Sequence, residues 1–92
     1  MKIDWSEPAV EQLERALTYI YERNPAAALR MYERIHARTE ELLDFPALGK
    51  AGLEPGTLEL VIPASPYILV YRIVGDIIEI GALWHGAQSR AR

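Results

Sequence analysis

The strongest constraint in this sequence is a two-residue break, Gly75-Asp76, between two runs rich in β-branched and aromatic residues, 67–74 and 77–84. A break of this length and composition is typical of a tight β-hairpin turn. The turn fixes which residues lie opposite each other, so it predicts the register of the hairpin. The predicted pairs are Ile73 with Ile78, Arg72 with Glu79, Tyr71 with Ile80, Leu69 with Ala82 and Tyr67 with Trp84.

Side-chain alternation then sorts the hairpin residues onto two faces. The face predicted to pack on the rest of the fold is almost wholly apolar and holds Tyr67, Leu69, Tyr71, Ile73, Ile78, Ile80, Ala82 and Trp84. The opposite face, called the open face below, holds Ile68, Val70, Arg72, Val74, Ile77, Glu79, Gly81, Leu83 and His85. Ile68, Val70 and Leu83 form an apolar cluster there, which predicts a partner-binding surface. The alternative is that the long loop or the C-terminal tail covers this cluster.

Two amphipathic helices precede the hairpin. Ser6 is placed to cap a helix that carries apolar residues at helical spacing and extends to about Arg23. Asn24-Pro25 ends this helix and starts a second one, because Asn caps well and Pro is favourable at the first helical position. The second helix is predicted to bury Ala28, Tyr32, Ile35, Thr39 and Leu42, flanked by Leu29 and Leu43. The short connection requires an antiparallel helical hairpin.

The remaining segments complete an α+β fold. Alternation of Ile3 and Trp5 with polar neighbours predicts a short N-terminal strand, and residues 45–57 read as a long loop rich in Pro and Gly. Residues 58–62 are predicted to form a further strand, and residues 63–66 are predicted to form a turn. The expected architecture is a short N-terminal strand, an antiparallel two-helix hairpin, and a three-stranded antiparallel meander packed on the helices.

Length and composition restrict the chain further. Ninety-two residues predict a single domain over 1–92, with residues 86–92 as a flexible tail. The sequence has no Cys and only two His, far apart, so neither a metal nor another cofactor is expected. It shows no signal peptide and no membrane-spanning run, which favours the cytoplasm. Residues 1–45 carry a net charge of −3 and residues 46–92 a net charge of zero, so direct nucleic-acid binding is not expected.

Five short stretches, in this order and spacing, resemble the RelE/ParE toxin superfamily over essentially the whole chain. They are Asn24-Pro25-Ala26-Ala27-Ala28, Phe45-Pro46-Ala47-Leu48-Gly49, Pro55-Gly56-Thr57, Pro66-Tyr67-Ile68-Leu69-Val70-Tyr71-Arg72 and Trp84-His85-Gly86-Ala87-Gln88. The resemblance implies a cytoplasmic toxin that a cognate antitoxin keeps inactive in a hetero-oligomer. A segment of the antitoxin is expected to wrap around the toxin. The resemblance also implies one of two activities: cleavage of messenger RNA in the ribosome, as in RelE-like members, or inhibition of DNA gyrase, as in ParE-like members. Residues 24–26 and 85–88 look closer to the ParE branch.

Charge and chemistry favour gyrase as the target. Metal-free RNA cleavage needs a base, an acid and cationic groups around the phosphate, and this chain offers few of them. No catalytic residue is therefore predicted, and a protein-binding inhibitor is expected. Candidate target contacts are Leu58, Arg72, His85, Gln88, Arg90 and Arg92, and candidate antitoxin contacts are Ile68, Val70 and Leu83. The alternatives are a ribosome-dependent ribonuclease and a decayed toxin that only binds its antitoxin.

One position departs from the family pattern. Members of the family commonly carry Arg directly after the Pro-Gly-Thr turn, where this chain has Leu58. Leu58 is expected to share a side of its strand with Leu60 and Ile62, as an ordinary core residue would. The alternative is that a cationic contact has been lost and that toxicity is attenuated.

Overall fold

The computed structural model describes residues 1–86, which form two helices and a five-stranded sheet. The elements are β1 (Lys2–Trp5), α1 (Glu7–Arg23), α2 (Pro25–Asp44), β2 (Lys50–Ala51), β3 (Leu58–Val61), β4 (Tyr67–Val74) and β5 (Ile77–His85). The strand order is β1-β5-β4-β3-β2, with β1 parallel to β5 and every other neighbour antiparallel. The predicted α+β fold is confirmed. Two features were not predicted: β1 extends the sheet beside β5, and the two-residue strand β2 forms inside the long loop.

Both helices begin where the sequence places their caps. The Ser6 side chain accepts a hydrogen bond from the Ala9 amide, and the Asn24 side chain accepts one from the Ala27 amide. These bonds satisfy backbone donors that the first turn of a helix leaves without partners. Asn24 also ends α1: its amide still donates to the Ile20 carbonyl, but its own backbone is extended, with φ −161° and ψ 96°. One residue therefore closes the first helix and opens the second, which makes the hairpin tight.

The core lies between the helices and one face of the sheet. Its largest fully buried side chains are Ile35, Leu42, Ile62, Leu69, Tyr71, Ile78 and Ile80. On α2 the stripe that faces the core differs from the prediction at three positions. Met31 is buried, whereas Tyr32 is 50% exposed and Leu29 is 60% exposed. The predicted stripe was wrong because spacings of three and of four residues both keep side chains on one side of a helix. In the structure, the buried residues are Ala28, Met31 and Ile35.

A β-bulge changes the register of the β4–β5 hairpin partway along it. The predicted pairs next to the turn are confirmed: Ile73 with Ile78, Arg72 with Glu79 and Tyr71 with Ile80. The register shifts between Val70 and Tyr71, and the pairs beyond that point are Val70 with Ala82, Leu69 with Leu83, Ile68 with Trp84 and Tyr67 with His85. The extra residue on β5 is Gly81, so the residues that follow it point to the face opposite the predicted one.

Two polar side chains of the N-terminal region hold this bulge. The Gln12 Oε1 atom on α1 accepts a hydrogen bond from the Leu83 amide at 2.8 Å, and the Ser6 hydroxyl donates to the Gly81 carbonyl at 3.2 Å. A bulge disrupts the regular ladder, so its backbone groups need partners from elsewhere. The start of α1 provides them. The cap of the first helix and the shape of the last strand are therefore coupled.

The loop between α2 and β3 is fastened to the sheet by Tyr71. The Tyr71 hydroxyl donates to the Pro46 carbonyl at 2.7 Å and accepts from the Gly49 amide at 2.9 Å. Further along the loop, the Thr57 hydroxyl donates to the Glu54 carbonyl, and the Gly52 amide donates to the Thr57 carbonyl. The loop therefore has a defined shape at the edge of the open face. Within residues 1–86, neither helix has the long apolar stretch that a bilayer crossing requires.

Candidate protein-binding surface

A groove of about 620 Å³ lies on the open face, between the centre of the sheet and the loop that precedes β3. Val70, Ala82 and Trp84 supply its apolar floor, and Leu53 adds an apolar group from the loop. The bulge at Gly81 creates this floor, because it turns Ala82 and Trp84 away from the helices. A concave surface of this kind, with apolar groups at its centre, is typical of a binding site.

Acidic side chains dominate the polar part of the groove. Glu54, Glu59 and Glu79 line it, and Arg72 is the one cationic residue among the described lining residues. Arg72 Nε lies 3.9 Å from Glu79 Oε1, and both side chains are nearly half exposed. The predicted pairing of these two residues is confirmed, but at this distance and exposure it contributes little to stability. The groove therefore carries an excess of negative charge.

The structure corrects two of the candidate contacts. Leu83, predicted on the open face, is 4% exposed and belongs to the core. His85, also predicted there, pairs with Tyr67, and the two rings meet edge to face with centroids 5.3 Å apart. Because Tyr67 packs against the core, this contact places His85 on the helix side of the sheet. Both errors follow from the bulge, which reverses every residue after Gly81.

Other predicted site residues lie where the sequence placed them. Ile68 and Val70 are half-buried on the open face, and Arg72 is exposed beside the groove. Leu58 packs partly buried against the core on the helix side. Gln88, Arg90 and Arg92 lie outside the described residues. The structure thus brings Val70 and Arg72 together in one groove and separates both from Leu58.

Several residues of the groove were not predicted from the sequence. Trp84 and Ala82 were assigned to the core, and Glu54, Glu59 and Leu53 were not singled out. The available signal was Gly81, since a glycine inside a strand pattern often marks a bulge. No sequence feature indicated that the loop lines the groove. Its position depends on the hydrogen bonds that Tyr71 makes to Pro46 and Gly49.

Neither core tyrosine is suited to act as a base. Burial raises the pKa of Tyr71 above its ordinary value, although the hydrogen bond with Gly49 and the nearby Arg38 lower it in part. Burial also raises the pKa of Tyr67, and Tyr19 adds to this effect. Both phenols are therefore protonated at neutral pH. In the described part of the chain, no cluster of three or more acidic or His side chains is arranged to hold a metal ion.

The two helices also carry exposed aromatic side chains. Tyr19 and Tyr21 on α1 and Tyr32 on α2 are each at least half exposed. Arg23 lies 3.6 Å above the Tyr19 ring and donates to the Tyr19 carbonyl, and Tyr32 stacks against His36. These contacts order large aromatic groups at the surface, where they are available to a protein partner.

Known proteins are similar to this chain over most of its length. The family model described as the ParE toxin of the type II toxin–antitoxin system parDE matches residues 3–90. The Sinorhizobium fredii protein Y4kP is 37% identical over 96% of this chain and 91% of its own length. Toxin RelE1 of Caulobacter vibrioides is 31% identical over 89% of each chain.

Solved structures show the same fold. A structure of the chromosomal ParDE system of P. aeruginosa superposes with a TM-score of 0.82 at 20% identity, over 92% of this chain and 95% of the other. The isolated E. coli RelE toxin gives a TM-score of 0.65 at 18% identity, over 96% of this chain and 86% of the other. The matched family covers nearly the whole sequence, and so this chain belongs to the ParE toxin family of type II toxin–antitoxin systems.

Proposed function

We propose that this protein is a toxin that binds and inhibits DNA gyrase, that a cognate antitoxin neutralises it in the cytoplasm, and that it does not cleave RNA. The observation that supports this choice most is the composition of the open-face groove, whose lining among residues 1–86 includes three glutamates and one arginine. Cleavage of RNA requires cationic groups to hold the phosphate and to stabilise the transition state. A groove with excess negative charge repels that substrate.

The acid–base inventory supports the same choice. General acid–base catalysis requires a titrating group within reach of the reacting atoms. His85 lies on the other side of the sheet from the groove, against Tyr67. Tyr71 is 1% exposed, and its hydroxyl donates a hydrogen bond to the Pro46 carbonyl in the loop. The described residues of the groove therefore supply carboxylates and one arginine, a set that suits protein binding better than phosphate chemistry.

The activity test compares the two targets directly. We expect the purified protein to inhibit supercoiling by DNA gyrase and to leave messenger RNA intact in a translating ribosome extract. Adding the antitoxin encoded beside the toxin gene should restore supercoiling. Cleavage of messenger RNA in the ribosomal A site, with supercoiling unaffected, would establish the ribonuclease alternative instead.

We place the antitoxin contact on the open face, around Ile68, Val70 and Trp84. Trp84 offers the largest side chain in the groove, and buried aromatic groups commonly dominate protein interfaces. Trp84→Ala should weaken antitoxin binding by about 2 kcal/mol, or roughly thirtyfold, as measured by calorimetry. Tyr21→Ala is the matched control, because it removes an exposed aromatic group from α1. Equal losses for the two variants, or a loss for Tyr21→Ala alone, would place the antitoxin elsewhere.

A further inference from the structure

We propose that β1 is the interface of a symmetric dimer, in which the β1 strands of two copies of this chain pair antiparallel and join their sheets into one. Lys2 of each copy lies opposite Asp4 of the other, and the two Ile3 residues face each other across the two-fold axis. This interface goes beyond the proposed function, because it requires neither antitoxin nor target. Among the described residues, β1 contributes none to the lining of the open-face groove.

The first argument is the open edge of β1. This strand ends the strand order and has β5 on one side, with no strand on its other side within residues 1–86. The Lys2 amide donates to the Asp76 carbonyl on the β5 side. Backbone groups of alternate residues point to the same side of a strand, so those of Ile3 and Trp5 are directed to the open edge. Such an edge is a template for pairing with another strand.

Antiparallel pairing centred on Ile3 satisfies these edge groups. The two Ile3 residues then exchange two N–H···O=C bonds, and Trp5 of each copy lies opposite Met1 of the other. Lys2 and Asp4 form the intervening pairs, which are not hydrogen-bonded through the backbone. Side chains come closest in pairs of this kind, so the side chains of Lys2 and Asp4 determine whether the register is favourable.

Charge complementarity identifies the occupant of the edge as a second copy. Lys2 and Asp4 are both exposed and, two residues apart, lie on the same face of β1. The two-fold axis through Ile3 exchanges their positions, so each ammonium group meets a carboxylate. A shift of two residues in either direction would place Lys2 opposite Lys2 or Asp4 opposite Asp4. The sequence of the strand therefore favours one register of self-pairing over its neighbours.

The surroundings of Asp4 strengthen this argument. Asp4 lies beside Glu79 in the β1–β5 register, and Glu79 lies beside Arg72 in the β4–β5 register. Arg72 is already paired with Glu79, whereas no ion pair to Asp4 occurs within residues 1–86. Two neighbouring carboxylates thus share one nearby guanidinium. Lys2 of a second copy supplies the missing positive charge on the outer side of Asp4.

The size and symmetry of this interface determine how it behaves. Four residues from each copy form a small contact, so we expect a reversible dimer that depends on protein concentration. The two-fold axis is perpendicular to the joined sheet, because the two edge strands continue one pleated surface. The helices of both copies therefore lie on one side of the sheet, and both open faces lie side by side on the other.

Reversal of single charges tests the register by analytical ultracentrifugation. Lys2→Asp places carboxylates opposite each other at both pairs, and Asp4→Lys places ammonium groups opposite each other there. We expect each variant to weaken the wild-type dimer by about tenfold or more, because like charges directly opposite are destabilising. Glu11→Lys is the matched control, since it changes the net charge as Asp4→Lys does but lies on α1. This control should dimerise as the wild type does.

Two combinations of the same substitutions should restore the dimer. In an equimolar mixture of Lys2→Asp with Asp4→Lys, a heterodimer brings opposite charges together at both pairs. The double variant Lys2→Asp with Asp4→Lys achieves the same in a homodimer. We therefore expect the mixture and the double variant to dimerise more strongly than either single variant alone. Circular dichroism melts establish that each variant is folded.

Hydrogen exchange in the wild type provides a measurement that depends on no variant. Exchange at the amides of Ile3 and Trp5 should slow as the protein concentration rises, because these amides gain partners only in the dimer. Exchange at the Ser6 amide should not change with concentration, because this amide bonds to the Ile80 carbonyl within one copy.

Several results would overturn the proposal. A wild type that is monomeric at about 1 mM has no such interface. A dimer that both single variants leave unchanged, or that Glu11→Lys weakens as much, uses another surface or depends on overall charge. Folded single variants whose mixture does not dimerise exclude this register. If the variants do not fold, exchange at Ile3 that is independent of concentration excludes the interface. The supercoiling assay decides the proposed function separately.

Discussion

Single residues in this protein often serve two neighbouring parts of the fold. Asn24 ends α1 through its extended backbone and caps α2 through its side chain. Tyr71 fills the core with its ring and fastens the loop with its hydroxyl. The sequence predicted the role of Asn24, because capping depends on local spacing alone. It did not predict the role of Tyr71, because the bonds join residues 22 and 25 positions apart.

A substitution of Leu58 tests whether this side chain serves packing or target binding. Leu58 stands after the Pro-Gly-Thr turn, where the family resemblance led us to expect Arg, and it packs partly buried against the core beside Leu60. We expect Leu58→Arg to lower the free energy of unfolding by about 1–3 kcal/mol, because a charge replaces apolar packing. We also expect no increase in killing when the variant is expressed without antitoxin. Urea denaturation and colony counts measure the two effects.

Val61→Arg is the matched control for that substitution. Val61 is on the same strand but is 57% exposed, so Arg there should change stability by less than about 0.5 kcal/mol. A Leu58→Arg variant that folds as well as the control and kills more cells would show that a cationic target contact has been lost from the natural sequence. In that case Leu58 attenuates the toxin.

At the scale of elements, the boundaries of the helices and of the last hairpin could be read from caps and turn residues. The two-residue turn predicted the strand register next to Gly75 correctly. One inserted residue then reversed the faces of the second half of β5, so Trp84 and His85 exchanged sides relative to the prediction. Strand periodicity cannot detect this by itself, because the pattern of β5 is apolar on both faces. The residues after the bulge also have a tertiary partner on α1, because the Leu83 amide donates a hydrogen bond to the Gln12 side chain.

The bulge can be tested through that partner. Gln12→Met keeps the length of the side chain but removes the acceptor of the Leu83 amide. We expect a loss of about 1–3 kcal/mol in stability, because a part-buried amide is left without its partner. Hydrogen exchange at Leu83 should quicken by about tenfold or more relative to the wild type. Glu11→Met, at the neighbouring exposed position, should leave that exchange rate unchanged. Unaltered exchange at Leu83 in Gln12→Met would show that the bulge does not depend on α1.

At the scale of the whole molecule, charge and burial are arranged by side. The helices and the inner face of the sheet enclose the core, whereas the open face combines apolar groups with carboxylates. The net charge of −3 could be read from the sequence, and it disfavours a nucleic-acid ligand. The concentration of acidic groups in one groove could not be read in this way. It arises because the loop, β3 and β5 each contribute one carboxylate to the same surface.

The same separation of core from surface predicts how stability depends on pH. Burial raises the pKa of Tyr71 and of Tyr67 above the ordinary value of 10.0. Above about pH 10 the unfolded chain releases these protons while the folded protein still holds them, so alkaline conditions favour unfolding. The two raised pKa values stabilise the folded protein fully below about pH 10. This stabilisation is lost as the pH rises through the pKa of each phenol in the folded protein.

Urea denaturation between about pH 8 and about pH 11 should therefore show a plateau followed by a decline, with a slope of up to about 1.4 kcal/mol per pH unit for each phenol. Tyr71→Phe should start from lower stability, because it loses the bonds to Pro46 and Gly49, but its decline should be shallower. Parallel declines for Tyr71→Phe and the wild type would mean that the Tyr71 phenol titrates alike in the folded and unfolded protein. The loop would then not be fastened by a buried, protonated hydroxyl.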